Sequence, residues 1–434
     1  MTPAELAIAA QASLRHSAIP NAAPSAISEA ISDAIPSAIL DESSPLDAEA
    51  TSPVALDVPA SHPTSGRRDV RRLGINPNHW YALVRSSELK QTPLPAVLWE
   101  EAIVLYRDET GQAHALEDRC PHRHVKLSHG AVIGSNLECA YHAWQFDVQG
   151  NCAEVPYLAE NQKLPACKIK SYPVREQDGF VWVFPGDVSL LVASEAQMSL
   201  AEEKEVDPRS DGSFTGAIAP LPIPEWDHLN YIATVSTIDC EAHFSFLIEN
   251  LMDMYHGHLH RGFQAWDSAA LDELEESPER VDALYTAQSF YRIDKIWSIS
   301  QLFFPSLRKL HPEPLGVSYD YPNWTSYLGK DFKIYCLFVP TGRTHTKAHL
   351  VHFVSLEAFW RLHKLPVKFR RFVKDSLFGA AQKMLDGLVE EDVVMLEEEQ
   401  QAYLAHPERR SYELNRTVIA VQRLIVAQAS NTQT

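Results

Sequence analysis

Two short segments constrain the fold of this chain more than any other feature, because each combines a cysteine with a histidine. Cys120 and His122 are separated by one residue, and after a gap of sixteen residues Cys139 and His142 are separated by two. Each segment thus offers one thiolate and one imidazole, and the chain between them is about one β-hairpin long. The spacing predicts a small β-rich unit whose two loops present four metal ligands.

The order C-x-H followed by C-x-x-H is what a Rieske [2Fe–2S] cluster requires, with two thiolates on one iron and two imidazoles on the other. Neutral imidazoles leave the cluster less negative, which raises its reduction potential and suits it to passing single electrons onward. A Cys₂His₂ zinc site is the alternative, but zinc fingers usually group the cysteines apart from the histidines. We therefore predict a cluster held by Cys120, His122, Cys139 and His142.

Short strand patterns surround both segments. Apolar runs at 80–84, 102–106 and 113–116 read as β-strands, and turn residues separate the last two runs. Residues 174–187 read as the closing strands. Together these patterns predict an all-β domain over residues 67–187.

At this point the chain resembles the Rieske non-haem iron oxygenases. In that family the first ligand segment usually reads Cys-Pro-His-Arg, a small residue, then Pro-Leu-Ser-x-Gly. This chain has Cys-Pro-His-Arg at 120–123 and Leu-Ser-His-Gly at 127–130, but it departs from the pattern at His124-Val125-Lys126. The departure leaves the ligands intact, and we expect it to alter the surface beside the cluster.

A second group of candidate ligands lies in residues 249–260. If this segment is helical, Asp253, His256 and His260 share one face, at i, i+3 and i+7. Two histidines four residues apart can bind one metal, as in H-E-x-x-H sites. His258 points to nearly the opposite side of such a helix and is the weaker candidate. A polar surface patch of histidines is the alternative to a metal site.

The resemblance favours a metal site at these histidines. In the family, two residues separate the Asp from the first His, and usually four residues separate that His from the second. Here only three residues separate His256 from His260, so His258 stays an alternative second ligand. The family's Asp bonds the first iron histidine of its own chain and the second cluster histidine of a neighbour. Carried over, Asp253 would link His256 to the partner's His142 in a head-to-tail homotrimer. The alternative is that Asp253 only orients His256 within its own chain.

A mononuclear Fe2+ site of this class needs a carboxylate beside its two histidines. Residues 388–401 hold the candidates, and Asp392 lies near the centre of the predicted apolar stripe while Glu391 lies on its flank. A carboxylate on an apolar face is costly unless it is paired or bound to a metal, so an ion pair with an arginine is the alternative. The segment resembles the family's Glu-Asp-x-x-x-Leu-Glu pattern, which selects Asp392 ahead of Glu391 and then Glu399.

Composition restricts the remaining functions. The chain has 434 residues, enough for two or three units, and its formal charge of −19 argues against nucleic-acid binding. No apolar run reaches the length of a bilayer span, so membrane contact is not expected, although the basic group at 364–374 could meet an acidic donor or a membrane surface. The other four cysteines lack disulfide-scaffold spacing, which favours a cytoplasmic location. Residues 1–66 are rich in Ala, Ser and Pro and are predicted to be a disordered extension.

The predicted fold class is α+β. An all-β Rieske domain precedes an α+β catalytic domain over residues 188–415, with an antiparallel sheet and covering helices, and a tail follows at 416–434. The resemblance implies a terminal oxygenase that uses O2 and Fe2+ to hydroxylate, demethylate or desaturate an organic, cyclic or aromatic substrate. No flavin, nicotinamide or second-cluster motif occurs, so a separate ferredoxin or flavin reductase must supply electrons. The alternative is a Rieske electron carrier with a non-catalytic binding domain.

Overall fold

The computed structural model of the chain describes residues 69–192, 219–262, 266–289, 310–329, 331–358, 362–409 and 411–430. The extension predicted for residues 1–66 lies outside the described residues. Within the described part, an all-β region leads into a large antiparallel sheet covered by helices. The predicted α+β class is therefore confirmed.

Eleven short strands form three antiparallel sheets in the described part of the N-terminal region. The sheet orders are β1-β11-β10, β2-β3-β4-β9 and β5-β6-β7-β8. The strands are β1 Tyr81–Arg85, β2 Leu94–Leu98, β3 Glu101–Arg107, β4 Ala113–Glu117, β5 Ala131–Ile133, β6 Asn136–Glu138, β7 Gln145–Phe146, β8 Cys152–Glu154, β9 Ser171–Tyr172, β10 Val174–Gln177 and β11 Phe180–Val183. The strands predicted near 80, 102, 113, 174 and 180 are all present.

Seven longer strands form one antiparallel sheet in the order β12-β18-β17-β16-β15-β14-β13. They are β12 Tyr231–Cys240, β13 Trp266–Glu276, β14 Arg280–Ser289, β15 His311–Asp320, β16 Asn323–Leu328, β17 Phe332–Gly342 and β18 His345–Ser355. In the described ranges, three α-helices accompany the sheet, α1 Phe244–Met252, α2 Val367–Ala405 and α3 Arg416–Ser430. Short 3₁₀ helices lie at Val70–Arg72, Leu127–His129, Met254–Gly262, Leu356–Ala358 and Leu362–Lys364.

Helix α2 covers the edge strand β12. The Gln382 amide donates to the Val235 carbonyl at 3.2 Å and accepts from its backbone N–H at 3.3 Å. The Ser236 hydroxyl also donates to the carboxylate of Asp386. These bonds satisfy backbone groups that an open sheet edge would leave unpaired, and they fix the helix along the strand.

The structure corrects two expectations about helices. The predicted helix over 249–260 is interrupted, because α1 ends at Met252 and a 3₁₀ helix follows. Asp253 has extended backbone angles, and its carboxylate accepts from the backbone N–H of Tyr255 at 2.9 Å, a local bond that competes with helix continuation. The tail predicted at 416–434 is instead a helix over Arg416–Ser430, because its apolar stripe is buried in the main core.

Among the helices of the described ranges, none combines the length and apolar character that crossing a membrane requires. All six cysteines of the chain are free thiols.

Candidate metal centres

The four predicted cluster residues lie in two loops with the same backbone pattern. In the first loop, Cys120 donates its N–H to the carbonyl of Val125 at 2.9 Å and accepts from the N–H of His124 at 2.8 Å. In the second loop, Cys139 makes the equivalent bonds to Trp144 and Ala143, at 2.8 and 2.9 Å. Both loops therefore turn back sharply after their cysteine.

The left-handed residue of each turn is His124, with φ 58°, and Ala143, with φ 54°. The first loop is also closed by Asp118, whose carboxylate accepts from the backbone N–H and the hydroxyl of Ser128, both at 2.7 Å. His124 belongs to the segment that departs from the family pattern. Histidine is one of the side chains more often found at positive φ, so the departure keeps the turn.

The donor set in these loops fits a Rieske cluster. The thiols of Cys120 and Cys139 are buried and contact each other. The rings of His122 and His142 lie 4.5 Å apart, and Nδ1 of His122 is buried with no hydrogen-bond partner among the described residues. Two soft sulfurs on one side and two imidazoles on the other match the two halves of the cluster. The imidazole side is partly exposed, so it faces solvent or a partner protein.

A second group of ligands brings His256, His260 and Asp392 together. One ligand atom from each lies within 4.8 Å of the other two. The Asp392 carboxylate lies 3.3 Å from Nε2 of His260 and 3.8 Å from Nε2 of His256. Asn250 also donates to that carboxylate at 3.4 Å. The described neighbours of Asp392 are thus two histidines and an amide, and not the arginine that the alternative ion pair would require. Two imidazoles and one carboxylate on one side of a cavity are the donor set of a non-haem Fe(II) site.

The outer nitrogen of each histidine also has a partner. Nδ1 of His256 contacts the backbone carbonyl of Asp253, and Nδ1 of His260 contacts the Glu391 carboxylate at 2.9 Å. Both carbonyl and carboxylate are acceptors, so the proton of each neutral ring is held on Nδ1. The lone pair of each Nε2 is then directed toward Asp392.

Burial and charge act differently on the two histidines. Burial lowers the pKa of His256, against the attraction of Asp392. Burial also opposes the charged form of His260, but hydrogen bonds and attraction from Asp392 and Glu391 outweigh it and raise the pKa of that ring. The carboxylates therefore concentrate negative charge around His260, where a divalent cation would be stabilised.

The other candidate residues take different positions. His258 is exposed, and its nearest bond is to the Tyr255 carbonyl at 3.4 Å. Glu399 interacts with the charges of Glu249 and Arg71 instead of the histidines. Among the alternatives weighed from the sequence, only Glu391 reaches the group, as the partner of His260.

The carboxylate of Asp253 does not contact His256; only its backbone carbonyl does. Its Oδ1 accepts from the backbone of Tyr255 at 2.9 Å and from the side chain of Asn415 at 3.0 Å. Asn415 begins the segment that leads into α3. Asp253 therefore links the ligand segment to the C-terminal helix.

Sequence reasoning missed two residues that position the histidines. The Trp266 ring lies 5.4 Å from His256 and 5.3 Å from His260, and its N–H donates to the Met254 carbonyl at 3.0 Å. Gly257 allows this close packing, because a Cβ there would lie 2.3 Å from Nε1 of the tryptophan. A glycine between histidines was the available signal, but the sequence does not show which ring packs on it.

A cavity of about 140 Å³ opens beside His256, His260 and Asp392. Apolar residues of α2 and of the seven-stranded sheet form nearly all of its surface, including Leu385, Val389, Leu315, Trp324 and Ile334. Such a cavity suits an apolar molecule beside the candidate iron ligands.

Comparisons with known proteins identify a Rieske domain and relatives of most of the chain. The family described as Rieske [2Fe-2S] domain matches residues 79–173. The chain is 31% identical over 373 residues to the 4beta-methylsterol monooxygenase of Methylococcus capsulatus, covering 82% of this chain and 89% of that protein.

Two solved structures share the fold. Dicamba monooxygenase bound to dicamba aligns with a TM-score of 0.61 at 19% identity, covering 83% of this chain and 99% of that one. A ferredoxin complex of the carbazole 1,9a-dioxygenase oxygenase aligns with a TM-score of 0.56 at 17% identity, covering 82% and 91%. At these identities the likeness concerns the fold.

Proposed function

The chain belongs to the Rieske non-haem iron oxygenases, a group of O2-dependent oxidoreductases, and we propose that it hydroxylates or demethylates an apolar ring compound. The similarity to a 4beta-methylsterol monooxygenase extends over most of both chains and supports this substrate class. The apolar cavity beside the candidate iron ligands supports it independently. A methyl or methoxy group on a ring is the expected point of attack.

We assign the [2Fe–2S] cluster to Cys120, His122, Cys139 and His142, and Fe2+ to His256, His260 and Asp392. When bound, the cluster supplies single electrons and the iron activates O2 beside the substrate. The residues of the chain orient the ligands, exclude water and hold the substrate. One observation carries the iron assignment: both Nε2 atoms face Asp392 while both Nδ1 atoms are bonded elsewhere.

We propose that the active assembly is a homotrimer in which Asp253 also contacts the partner's His142. Oδ1 of Asp253 is bonded within its own chain, and its other carboxylate oxygen makes no hydrogen bond among the described residues. That oxygen is available to a metal-bound histidine, which must donate its outer N–H to an acceptor. The arrangement would bring a cluster of one chain close to the iron of the next.

A separate ferredoxin or flavin reductase is the proposed electron donor. The partly exposed edge at His122 and His142 offers it a short route to the cluster, and a fold neighbour has been solved as a ferredoxin complex. We propose a reducing compartment such as the cytoplasm, because none of the six cysteines forms a disulfide.

Metal analysis tests the assignment. We expect three irons per chain in the purified protein, and two irons with a normal Rieske spectrum in His256→Ala and Asp392→Ala. His258→Ala is the matched control, because its ring is exposed, and it should keep all three irons. Two irons in the wild-type protein would instead favour an electron carrier with a non-catalytic second domain.

Turnover tests the substrate class. The protein, supplied with a generic ferredoxin and reductase, should convert at least one of a set of methylsterols, methoxylated aromatics and tetrapyrroles under O2. Product analysis by mass spectrometry should show one added oxygen or one lost methyl group. Full iron loading without product from any ring compound would contradict the proposal.

A further inference from the structure

The wall of the cavity opposite the candidate iron ligands is built from three rows of residues across the sheet. In an antiparallel sheet, directly paired residues point to the same face. The pairing of β16 with β17 and of β17 with β18 aligns Ser326, Ile334 and His352 in the middle row. The two flanking rows present aliphatic and aromatic side chains to the cavity, among them Leu328 and Trp324. The indole N–H of Trp324 is also buried without a hydrogen-bond partner among the described residues.

His352 is the unusual member of this wall. Its side chain is 4% exposed, and Nδ1 has no hydrogen-bond partner among the described residues. Phe332 stacks on the ring, with centroids 6.0 Å apart and planes within 10°. The ring is thus held in place by packing alone.

The imidazole of His352 makes no hydrogen bond within the described part of the chain. Strand β18 pairs with its neighbours through backbone groups, and the hydroxyl of Thr234 donates to the backbone carbonyl of His352 at 3.5 Å. A buried polar nitrogen left unpaired costs about 1–3 kcal/mol, whereas an apolar ring of similar size would cost nothing of this kind. A function in the cavity accounts for the cost.

We propose that His352 hydrogen-bonds the single polar group of an otherwise apolar ring substrate and thereby selects neutral alcohols or ketones. The inference rests on the proposed function and specifies its substrate. The residues that line the cavity include no Lys or Arg within the described part of the chain, so no side chain there would offset the charge of a carboxylate or sulfate. Burial lowers the pKa of His352 to about 4, so the ring is neutral at neutral pH, with one donor and one acceptor.

His352 lies on strand β18, while His256 and His260 lie in the 3₁₀ helix Met254–Gly262 and Asp392 lies in α2. All four residues line the same cavity. A ring compound anchored at His352 by its oxygen would therefore lie in the cavity that the candidate iron ligands also line.

Equilibrium dialysis with three labelled probes tests the proposal on the iron-loaded protein without O2. The probes are a methylsterol with a free ring hydroxyl, the same sterol without the hydroxyl, and its sulfate ester. The wild-type protein should bind the alcohol about tenfold more tightly than either of the others. In His352→Phe, the affinities for the alcohol and for the deoxy sterol should differ by no more than about twofold. His352→Gln keeps a donor and an acceptor, so it should retain most of the preference for the alcohol.

His258→Phe is the matched control and should behave as the wild-type protein. Because the wild-type preference needs no variant, misfolding of His352→Phe would not remove the test. Equal binding of alcohol and deoxy sterol by the wild-type protein would overturn the proposal. So would the absence of binding by all three sterol probes. Measuring turnover separates the role of His352 from the proposed reaction. Product formed without tighter binding of the alcohol would refute only the role of His352. Tighter binding of the alcohol without product would refute only the proposed reaction.

Discussion

Single residues around both centres determine whether the ligands point the right way. Glu391 holds the outer nitrogen of His260, and Gly257 makes room for the ring that packs on both candidate iron histidines. Neither would bind a metal directly. Their effect is on orientation, so it should be visible in metal affinity as well as in activity.

Glu391→Gln should weaken the binding of Fe2+ by about tenfold while leaving the Rieske spectrum unchanged. Glutamine can still accept from Nδ1 of His260, but it lacks the charge that stabilises a metal-bound imidazole. Dialysis against a graded chelator measures the affinity. Glu390→Gln is the control, because Glu390 is its exposed neighbour on α2, and an equal loss in both variants would contradict the role.

Gly257→Ala should lower the free energy of unfolding by about 2 kcal/mol and reduce the mononuclear iron content. The added methyl group would overlap Nε1 of Trp266, which is fixed by its bond to the Met254 carbonyl. Urea unfolding and iron analysis measure the two effects. Gly379→Ala is the matched control, because a Cβ there meets nothing within 4 Å, and it should raise stability by about 1 kcal/mol. Full iron content in Gly257→Ala would show that the tryptophan tolerates displacement.

At this scale the sequence was informative where the chemistry is local. The spacing of Cys120, His122, Cys139 and His142 predicts two ligand loops because the ligands are close in the chain. The contact between Gly257 and Trp266 could not be predicted, since it depends on how a 3₁₀ helix meets the start of β13.

At the scale of elements, helix α1 depends on the unusual N-cap His243. Its Nδ1 accepts from the backbone N–H of Ser245 at 3.2 Å, and its other nitrogen contacts the Leu73 carbonyl at 3.0 Å. The cap thus works only in the neutral form and joins α1 to the N-terminal region. Burial lowers the pKa of His243 to about 4.

The stability of the protein should therefore fall as the solution is acidified. The folded-state pKa of His243 is below the unfolded value of about 6.5, so its contribution is present above that pH and lost as the pH falls toward 4. Between about pH 7.5 and about pH 5 it should account for about 2 kcal/mol of lost stability.

His243→Asn keeps a capping oxygen but removes the titration, so its unfolding free energy should change less over that range. Urea unfolding of both proteins at each pH gives the difference. Parallel curves would show that this imidazole does not titrate with unfolding.

Element prediction succeeded for strands and failed at helix ends. Alternating apolar runs located the strands of the N-terminal region because their pattern is local. The end of α1 depends on the carboxylate of Asp253 bonding to the Tyr255 backbone, which helical periodicity does not reveal. The sequence does not predict helix α3 at 416–430, because its apolar stripe is recognised only when the surface that it covers is known.

At the scale of the whole molecule, the two centres lie in different parts of one chain, and the proposed homotrimer relates them. Light scattering should give a mass three times the 48.7 kDa of one chain. Asp253→Asn should keep all three irons yet slow electron transfer from the reduced cluster by about two orders of magnitude or more, because an amide is a weaker acceptor than a carboxylate for the partner's His142. A catalytically competent monomer, or normal single-turnover rates in the variant, would contradict the bridge.

The proposed cluster loops lie within one short stretch of sequence, whereas the proposed iron ligands come from α2 and from a 3₁₀ helix far away in the chain. Partial opening of the molecule can therefore separate the second set while leaving the first intact. During slow heating, colourless iron should be released before the brown colour fades. Preparations that look fully loaded by eye could still be depleted in the metal where oxygen chemistry takes place.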